Sequence, residues 1–337
     1  MRAATLCLLL LIPNAVFGQS KEQIVRDVVS GHILPGFERL AAETTELNAL
    51  AADDCDPASS DLRAAYGETF DAWLGVGHLR FGPSETDNRA FGLAFWPDTR
   101  GATPKALAGL MSSADPIVDD PDAFATESIA ARGFYAMEFL LYDPQFTGSE
   151  DEAYRCRLIR AVAVDIDRTA DAILSDWQLS HAEAMQSPSA DGPYRDTDEA
   201  LRAIYTALAT GLQVTSEARL GRPLGTFDRP RPNRAEVRRS GRSLHHVVLS
   251  LEAARDLAAR LATLTPEGAD VIDGAFERAF AQSDRVDDPV FASVADPMGR
   301  LRVEVLQQRV NEIREATAEI IAPTLGVAAG FNSLDGD

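Results

Sequence analysis

The chain has 337 residues and a formal net charge of −20, from 52 acidic against 32 basic side chains. That balance argues against nucleic-acid binding, which needs a basic stripe, and fits a soluble surface that attracts cations nonspecifically. An apolar fraction of 45% is that of a globular protein rather than a disordered one, and the length allows one large core or two modest ones.

In chain order, the first element is a secretory signal. Met1-Arg2 carries a positive charge, Ala3 to Ile12 is uncharged and mostly apolar, Pro13 and Asn14 break the run, and Val16-Phe17-Gly18 closes it on small residues. This order predicts a signal peptide over residues 1–18, cut after Gly18. The apolar run is too short for a bilayer, which needs roughly 20 residues. No cysteine follows the cut, so no lipid anchor is expected there, and no later segment reads as a transmembrane span. The expected location is the periplasm. Cys7 leaves with the signal, and the remaining two, Cys55 and Cys156, are expected to form one disulfide in an oxidising compartment. Two unrelated free thiols are the alternative.

The hydrophobic period beyond is helical. Val162, Ile166, Ala170, Ile173 and Trp177 form one stripe with steps of three and four. Leu244, Val247, Val248, Leu251, Ala254, Ala258 and Leu261 form a second, and Leu306, Val310, Ile313 and Ile320 a third. Such spacing puts each set on one helical face. No sustained alternation supports strands. Asp120-Pro121 reads as an N-cap with proline at the first helical position, and Asp143-Pro144 as a stop, so a helix from 121 to about Tyr142 is predicted. Ser187 to Tyr194 is polar with two prolines and a glycine, and Gly221 to Asn233 holds three prolines. The first break divides the chain into an N-terminal half, 19–187, and a C-terminal half, 195–337. The expected fold class is all-α, two packed antiparallel helical bundles.

The segment Gly133-Phe134-Tyr135-Ala136-Met137-Glu138-Phe139-Leu140-Leu141-Tyr142 carries a single charge, Glu138. A helix apolar all round is buried, and a carboxylate inside it is costly unless paired or hydrogen-bonded. Tyr135 and Glu138, three apart, share a face. Gly133 inside a helix suggests close approach by another backbone or a ligand. Two readings stay open for Glu138. One is a structural ion pair with an arginine such as Arg80, Arg89 or Arg242. The other is a ligand or metal site.

At this segment the chain resembles the imelysin-like proteins, also called the imelysin peptidase family. The matching blocks run through nearly the whole mature chain. They are Ala72-Trp73 with Leu79-Arg80-Phe81-Gly82-Pro83, Phe95-Trp96-Pro97-Asp98, Gly133 through Glu138, and Tyr154-Arg155-Cys156. They continue with Leu220-Gly221-Arg222-Pro223-Leu224-Gly225, Ser240-Gly241-Arg242-Ser243-Leu244 and Gly330 to Asp337. The family signature is Gly-x-His-x-x-Glu. Gly133 and Glu138 match it, and Tyr135 stands where the histidine belongs.

The resemblance implies a two-part helical fold, a bacterial envelope location and association with iron or haem uptake. Iron is the implied metal and envelope iron-uptake components are the implied partners. The peptidase label rests on a His-Glu pair, which can share a divalent metal, and Tyr135 weakens it. A deprotonated tyrosine suits ferric iron better than zinc, so Glu138 and Tyr135 form the candidate metal pair. The wider candidate binding set is Glu138, Tyr135, Gly133, Arg80, Arg242 and His32. His32, His78 and His181 read as structural histidines, and the adjacent His245 and His246 point about 100° apart on a helix. There is no His-Glu-x-x-His and no nucleophile elbow. Asp335 and Asp337 crowd charge at the C-terminus, either as a solvated tail or, by resemblance, packed near the interface of the halves.

The expectation is a non-catalytic periplasmic binding or accessory protein tied to iron or haem acquisition. The alternative is a divergent metallopeptidase, and a third possibility is a structural envelope protein that binds nothing small.

Overall fold

A computed structural model describes residues 19–327. The signal peptide predicted over 1–18 and the acidic tail with Asp335 and Asp337 lie outside the described residues. Among the described residues there is no β-strand, only one isolated bridge between Thr226 and Arg229, as the helical periodicity requires. No helix among them is long and apolar enough to cross a membrane.

The longer helices are α1 (Lys21–Val28), α2 (Leu34–Asp53), α3 (Ser60–Val76), α4 (Ala102–Ser113), α5 (Gly133–Tyr142) and α6 (Glu152–Asp176) before the polar break. After it come α7 (Thr197–Gln213), α8 (Ser243–Ala262), α9 (Pro266–Ser283) and α10 (Pro297–Ile320). Their starts carry the expected chemistry. Ser20 and Gln23 form a reciprocal capping box on α1, Asp151 accepts from the Tyr154 amide at the start of α6, and Asp296 accepts from Met298 and Gly299 ahead of Pro297. Each such cap is worth about 1 kcal/mol.

In the first half α2 packs on α3 and α6; in the second, α8 packs on α9 and α9 on α10. The stripes predicted from the sequence face inward: Val162, Ile166, Ala170, Ile173 and Trp177 are all essentially inaccessible, as are Leu251, Leu261, Leu306, Val310 and Ile313. Each large aliphatic buried in this way contributes roughly 1.5–3 kcal/mol before entropy is counted. The halves are joined through α1, which packs on α7 and α8, and through α3, which packs on α8.

Cys55, just beyond α2, is bonded to Cys156 on α6, with Cα atoms 5.2 Å apart across a separation of 101 residues. The expected disulfide is present. It fastens the end of α2 to the helix against which α2 packs.

The helix predicted from 121 to 142 is broken. Asp120 caps a single turn, Pro121–Phe124, the chain then bends, and α5 starts afresh at Gly133. Gly133 has φ +70°, and a Cβ there would lie 2.2 Å from the Gly92 carbonyl oxygen and 2.3 Å from that of Leu93. The residue is therefore at the start of the helix rather than inside it. The inferred close approach of another backbone is present, and only glycine accommodates both constraints. The stop at Asp143-Pro144 falls as predicted: α5 ends at Tyr142 and Asp143 caps the short turn that follows.

Three π-turn segments interrupt the helices, at Val29–Ile33, Trp177–His181 and Val214–Leu220. Such bulges re-aim side chains and recur at functional sites. The first carries His32 and the third carries Arg219, both of which return below.

Candidate functional site

The α5 segment is buried as its composition demands, with Phe134, Ala136, Met137, Leu140 and Leu141 inaccessible. Phe134 stacks on Phe70 of α3 at 4.6 Å between centroids. The two polar residues of α5 then face the long loop between α7 and α8, where the structure brings together partners that the sequence keeps far apart.

Glu138 is 1% exposed. Its Oε1 accepts from the backbone N–H of Arg239, the backbone N–H of Ser240 and the Ser240 hydroxyl, each at 3.1 Å. The Arg239 guanidinium stands 3.7 Å from Oε2, lies 3.6 Å over the Phe139 ring and donates to Asp143 at 2.5 Å. Burial raises the Glu138 pKa above the usual carboxylate range, while Ser240 and Arg239 oppose that shift. The arginines anticipated for it are engaged elsewhere: Arg80 with Glu85, Arg89 with Asp176 and Arg242 with Asp71. The ion-pair partner is Arg239, and the anchoring is mainly to backbone amides. Glu138 pins the loop to α5.

Tyr135 turns to a different carboxylate. Its hydroxyl donates to Oε1 of Glu236, itself 1% exposed. Arg219 donates through Nε to Glu236 Oε2 at 2.7 Å, and His246 Nδ1 lies 3.5 Å from the same oxygen. The Ser243 hydroxyl donates to the Glu236 carbonyl. Burial alone would favour the neutral acid, but the Arg219 charge, His246 and the Tyr135 hydroxyl hold the Glu236 pKa at about 2. Burial, followed by the adjacent Glu236 charge, pushes the Tyr135 phenol well above its ordinary value. His246 is inaccessible, packs edge-on against Phe70 at 4.5 Å and has both ring nitrogens without a hydrogen bond. Burial lowers its pKa below the ordinary imidazole value.

Tyr135, Arg219 and Glu236 reach the wall of a cavity of about 480 Å³, lined also by Trp73, His78 and Trp96. Trp96 stacks on Tyr135 with centroids 6.3 Å apart. Arg80 lines the same cavity, so it belongs to the site through the cavity and not through Glu138. His32 arrives from behind: its Nε2 lies 3.1 Å from His78 Nε2, and its Nδ1 lies 2.7 Å from Asp256 Oδ2. Asp256 is held at about 2, against burial, by His32 and Arg260. Burial and the neighbouring His32 lower the His78 pKa well below the usual imidazole value. His181 stays apart, bonded to Tyr194 at 3.0 Å, and His245 pairs with Asp71 on the protein surface.

Iron can be tested against this donor set. A tyrosinate ligand requires loss of the phenol proton, but the Tyr135 proton is committed to Glu236 and its pKa is raised. Glu138 is saturated at Oε1, and both buried carboxylates have an arginine beside them. Among the described residues no group of three or more His, Cys, Asp and Glu side chains is placed to hold a metal. Tyr135 and Glu138 do not fit a resident metal ion. The site is instead a buried, charge-compensated network under a cavity with aromatic walls.

Among the described residues the protein is all-helical, with a buried polar cluster under an aromatic cavity. Residues 33–317 match the imelysin peptidase family, Peptidase M75, and the chain belongs to that family. Iron-regulated protein A of Synechococcus elongatus is 22% identical over 334 residues, spanning 91% of this chain and 88% of that protein. The crystal structure of an imelysin-like protein from Psychrobacter arcticum superposes with a TM-score of 0.77 at 18% identity, covering 95% of this chain and all of that one. A protein from Parabacteroides distasonis, provisionally named an iron-regulated protein A precursor, gives a TM-score of 0.70 at 13% identity over 90% of this chain and 97% of its own.

Sequence reasoning missed Glu236, Arg219 and Arg239. Glu236 lies 101 residues from Tyr135, in a loop without hydrophobic periodicity. One available signal was a run of eight arginines from Arg219 to Arg242 in an otherwise strongly acidic chain.

Proposed function

We propose that this is an exported, non-catalytic binding protein of the bacterial envelope, acting in iron acquisition. The observation that carries the reading is the compensation of its buried carboxylates. Glu236 is committed to Tyr135 and Arg219, and Glu138 to Ser240 and Arg239. A zinc hydrolase needs about three protein ligands and an open coordination position, whereas a guanidinium beside a carboxylate competes with a metal for the same oxygens. Tyr135, at the position of the family's signature histidine, supplies a hydrogen bond and not a neutral nitrogen ligand. A wall of Trp73, Trp96 and Tyr135 beside Arg219 and His78 suits reversible binding of a small ligand, since such pockets combine apolar walls with a few fixed polar groups. The disulfide supports an oxidising compartment. The iron-regulated names of two relatives support the iron link, with envelope iron-uptake components as the partners.

The test has two arms. Quantitative proteomics of the source bacterium with and without an iron chelator is expected to show the protein rising under iron limitation; unchanged abundance removes the iron link. Purified protein is expected to leave casein intact. Cleavage that disappears in Glu138→Ala would establish the metallopeptidase alternative.

A further inference from the structure

A second pocket shares Trp96 and Tyr135 with the larger cavity. It has a volume of about 290 Å³ and includes Trp96, Phe139, Arg222 and Arg234 in its lining. We propose that this pocket binds a small organic polycarboxylate, with Arg222 and Arg234 as the groups that recognise its charge.

The starting point is an imbalance. The whole chain carries −20, yet the 24 residues from Arg219 to Arg242 contain eight arginines against only Asp228 and Glu236. Arg219, Arg239 and Arg242 are accounted for by Glu236, by Glu138 with Asp143, and by Asp71. Among the described residues, Arg222 and Arg234 make no ion pair and no side-chain hydrogen bond. Arg222 lies over the Trp96 ring at 5.5 Å, and its Nε is buried without a partner. In a protein with so many surplus carboxylates, a half-buried guanidinium is easily supplied with a counterion. Leaving one without, beside a second guanidinium, is costly unless something else brings the negative charge.

The carboxylates that reach the pocket cannot do so. Asp98 accepts from the Thr103 amide at 2.8 Å and the Arg100 amide at 3.2 Å, and those amides together with Ala102 and Gly101 lower its pKa against the effect of burial. Glu138 is held by Ser240 and Arg239. Burial, followed by the charge of Arg234, lowers the proton affinity of Arg222, the response of a guanidinium that lacks an anion and faces another cation.

The same facts narrow the class of ligand. Inorganic phosphate is commonly held by free backbone amides at a helix N-terminus. Here the amides at the start of α4 are occupied by Asp98. Recognition falls to two guanidinium forks, which match carboxylates and phosphates alike in bidentate fashion, so the walls decide the class. The walls are aromatic and apolar, from Trp96 and Phe139 to Val237 and Pro104, which suits a carbon skeleton between the charged groups. Trp96 is shared with the larger cavity, so a ligand here rests against the ring that also stacks on Tyr135. The inference does not rest on iron, because the site requires only an anion.

Citrate is a suitable probe. Titrated into purified full-length protein at low salt, it is expected to bind with 1:1 stoichiometry by calorimetry and to change tryptophan fluorescence. The binding should weaken as ionic strength rises. Arg222→Gln with Arg234→Gln is expected to weaken citrate at least tenfold while leaving the melting temperature near that of the wild type, since neither side chain holds the fold together. Trp96→Phe should remove the fluorescence change while calorimetric binding persists. Absence of citrate binding at millimolar concentration overturns the proposal, and so does binding that the double variant retains. Phosphate binding as tightly as citrate, with the same arginine dependence, overturns the polycarboxylate assignment. An iron-independent abundance of the protein would remove the iron reading and leave this result standing.

Discussion

The Tyr135 hydroxyl donates to the carboxylate of Glu236 across 101 residues of sequence, so this tyrosine is joined to the loop before α8 and not to the glutamate three residues on. This bond helps to keep Glu236 ionised in a place where burial would neutralise it. Tyr135→Phe removes one hydrogen bond to a charged group and should cost about 1.5–3 kcal/mol. Glu236→Ala leaves the Arg219 guanidinium, 15% exposed, without its counter-charge and should cost about 3–5 kcal/mol. Urea denaturation of both variants checks the order. Equal midpoints for Tyr135→Phe and the wild type would mean that the bond contributes nothing to the fold.

The pH dependence of stability follows from which groups are shifted and in which direction. His78 and His246 have folded values below the ordinary 6.5, so from about pH 6.5 downward the unfolded chain takes up protons that the folded chain does not. Stability therefore falls on acidification in that window. Glu236, at about 2 against an ordinary 4.5, adds stability that is fully present above 4.5 and lost as the pH falls through about 2. Glu138 and Asp165 are raised and act in the opposite sense, protonating first in the folded state and so offsetting part of the loss as acid is added. The expected record is a decline that begins near pH 6.5 and steepens below 4.5. His78→Gln should flatten the first part. Melting temperatures from pH 8 to pH 4 decide this, and an unchanged slope in His78→Gln would remove His78 as a cause.

Gly133→Ala should be among the most damaging single changes in the chain. The new Cβ meets the Gly92 and Leu93 carbonyls, which are backbone and cannot swing aside, and the residue must also hold a φ of +70°. A left-handed conformation costs an L-residue about 1–2 kcal/mol, and the clash adds to it. A loss of at least about 3 kcal/mol is expected, seen as a large drop in melting temperature or as failure to accumulate folded protein. A wild-type melting curve would show that the backbone at Gly92 and Leu93 can retreat from α5.

What the sequence made legible is what depends on local pattern. The stripes of α6, α8 and α10, the disulfide partners and the burial of Glu138 all follow from periodicity, cysteine count and the cost of a lone charge in an apolar helix. The break before Gly133 was hidden because Ser128 to Arg132 carries no proline and continues the apolar character of its neighbours. The partner of Glu138 was hidden for a different reason. Arg80, Arg89 and Arg242 are as cationic as Arg239, and only the path of the loop puts the Arg239 and Ser240 amides against Oε1. Composition ranks arginines equally; the fold distinguishes them by backbone geometry.

That geometry makes a specific forecast for Glu138. Three donors converge on one of its oxygens, and two of them are backbone amides. Glu138→Gln keeps a carbonyl oxygen able to accept all three and loses only the attraction to Arg239, whose guanidinium retains Asp143 at 2.5 Å. Its cost should be smaller than that of alanine, because the Arg239 guanidinium stands 3.7 Å from Oε2, too far for a hydrogen bond. Glu138→Ala leaves the two amides and the Ser240 hydroxyl buried without an acceptor, at about 1–3 kcal/mol for each group that water cannot reach. A loss of about 3 kcal/mol or more is therefore expected for alanine. Hydrogen exchange adds a readout that stability alone does not give: the Arg239 and Ser240 amides should exchange faster in Glu138→Ala and near the wild-type rate in Glu138→Gln. If both variants lose the same stability and the same protection, charge and not hydrogen-bond acceptance is what Glu138 contributes, and the loop is held through Arg239.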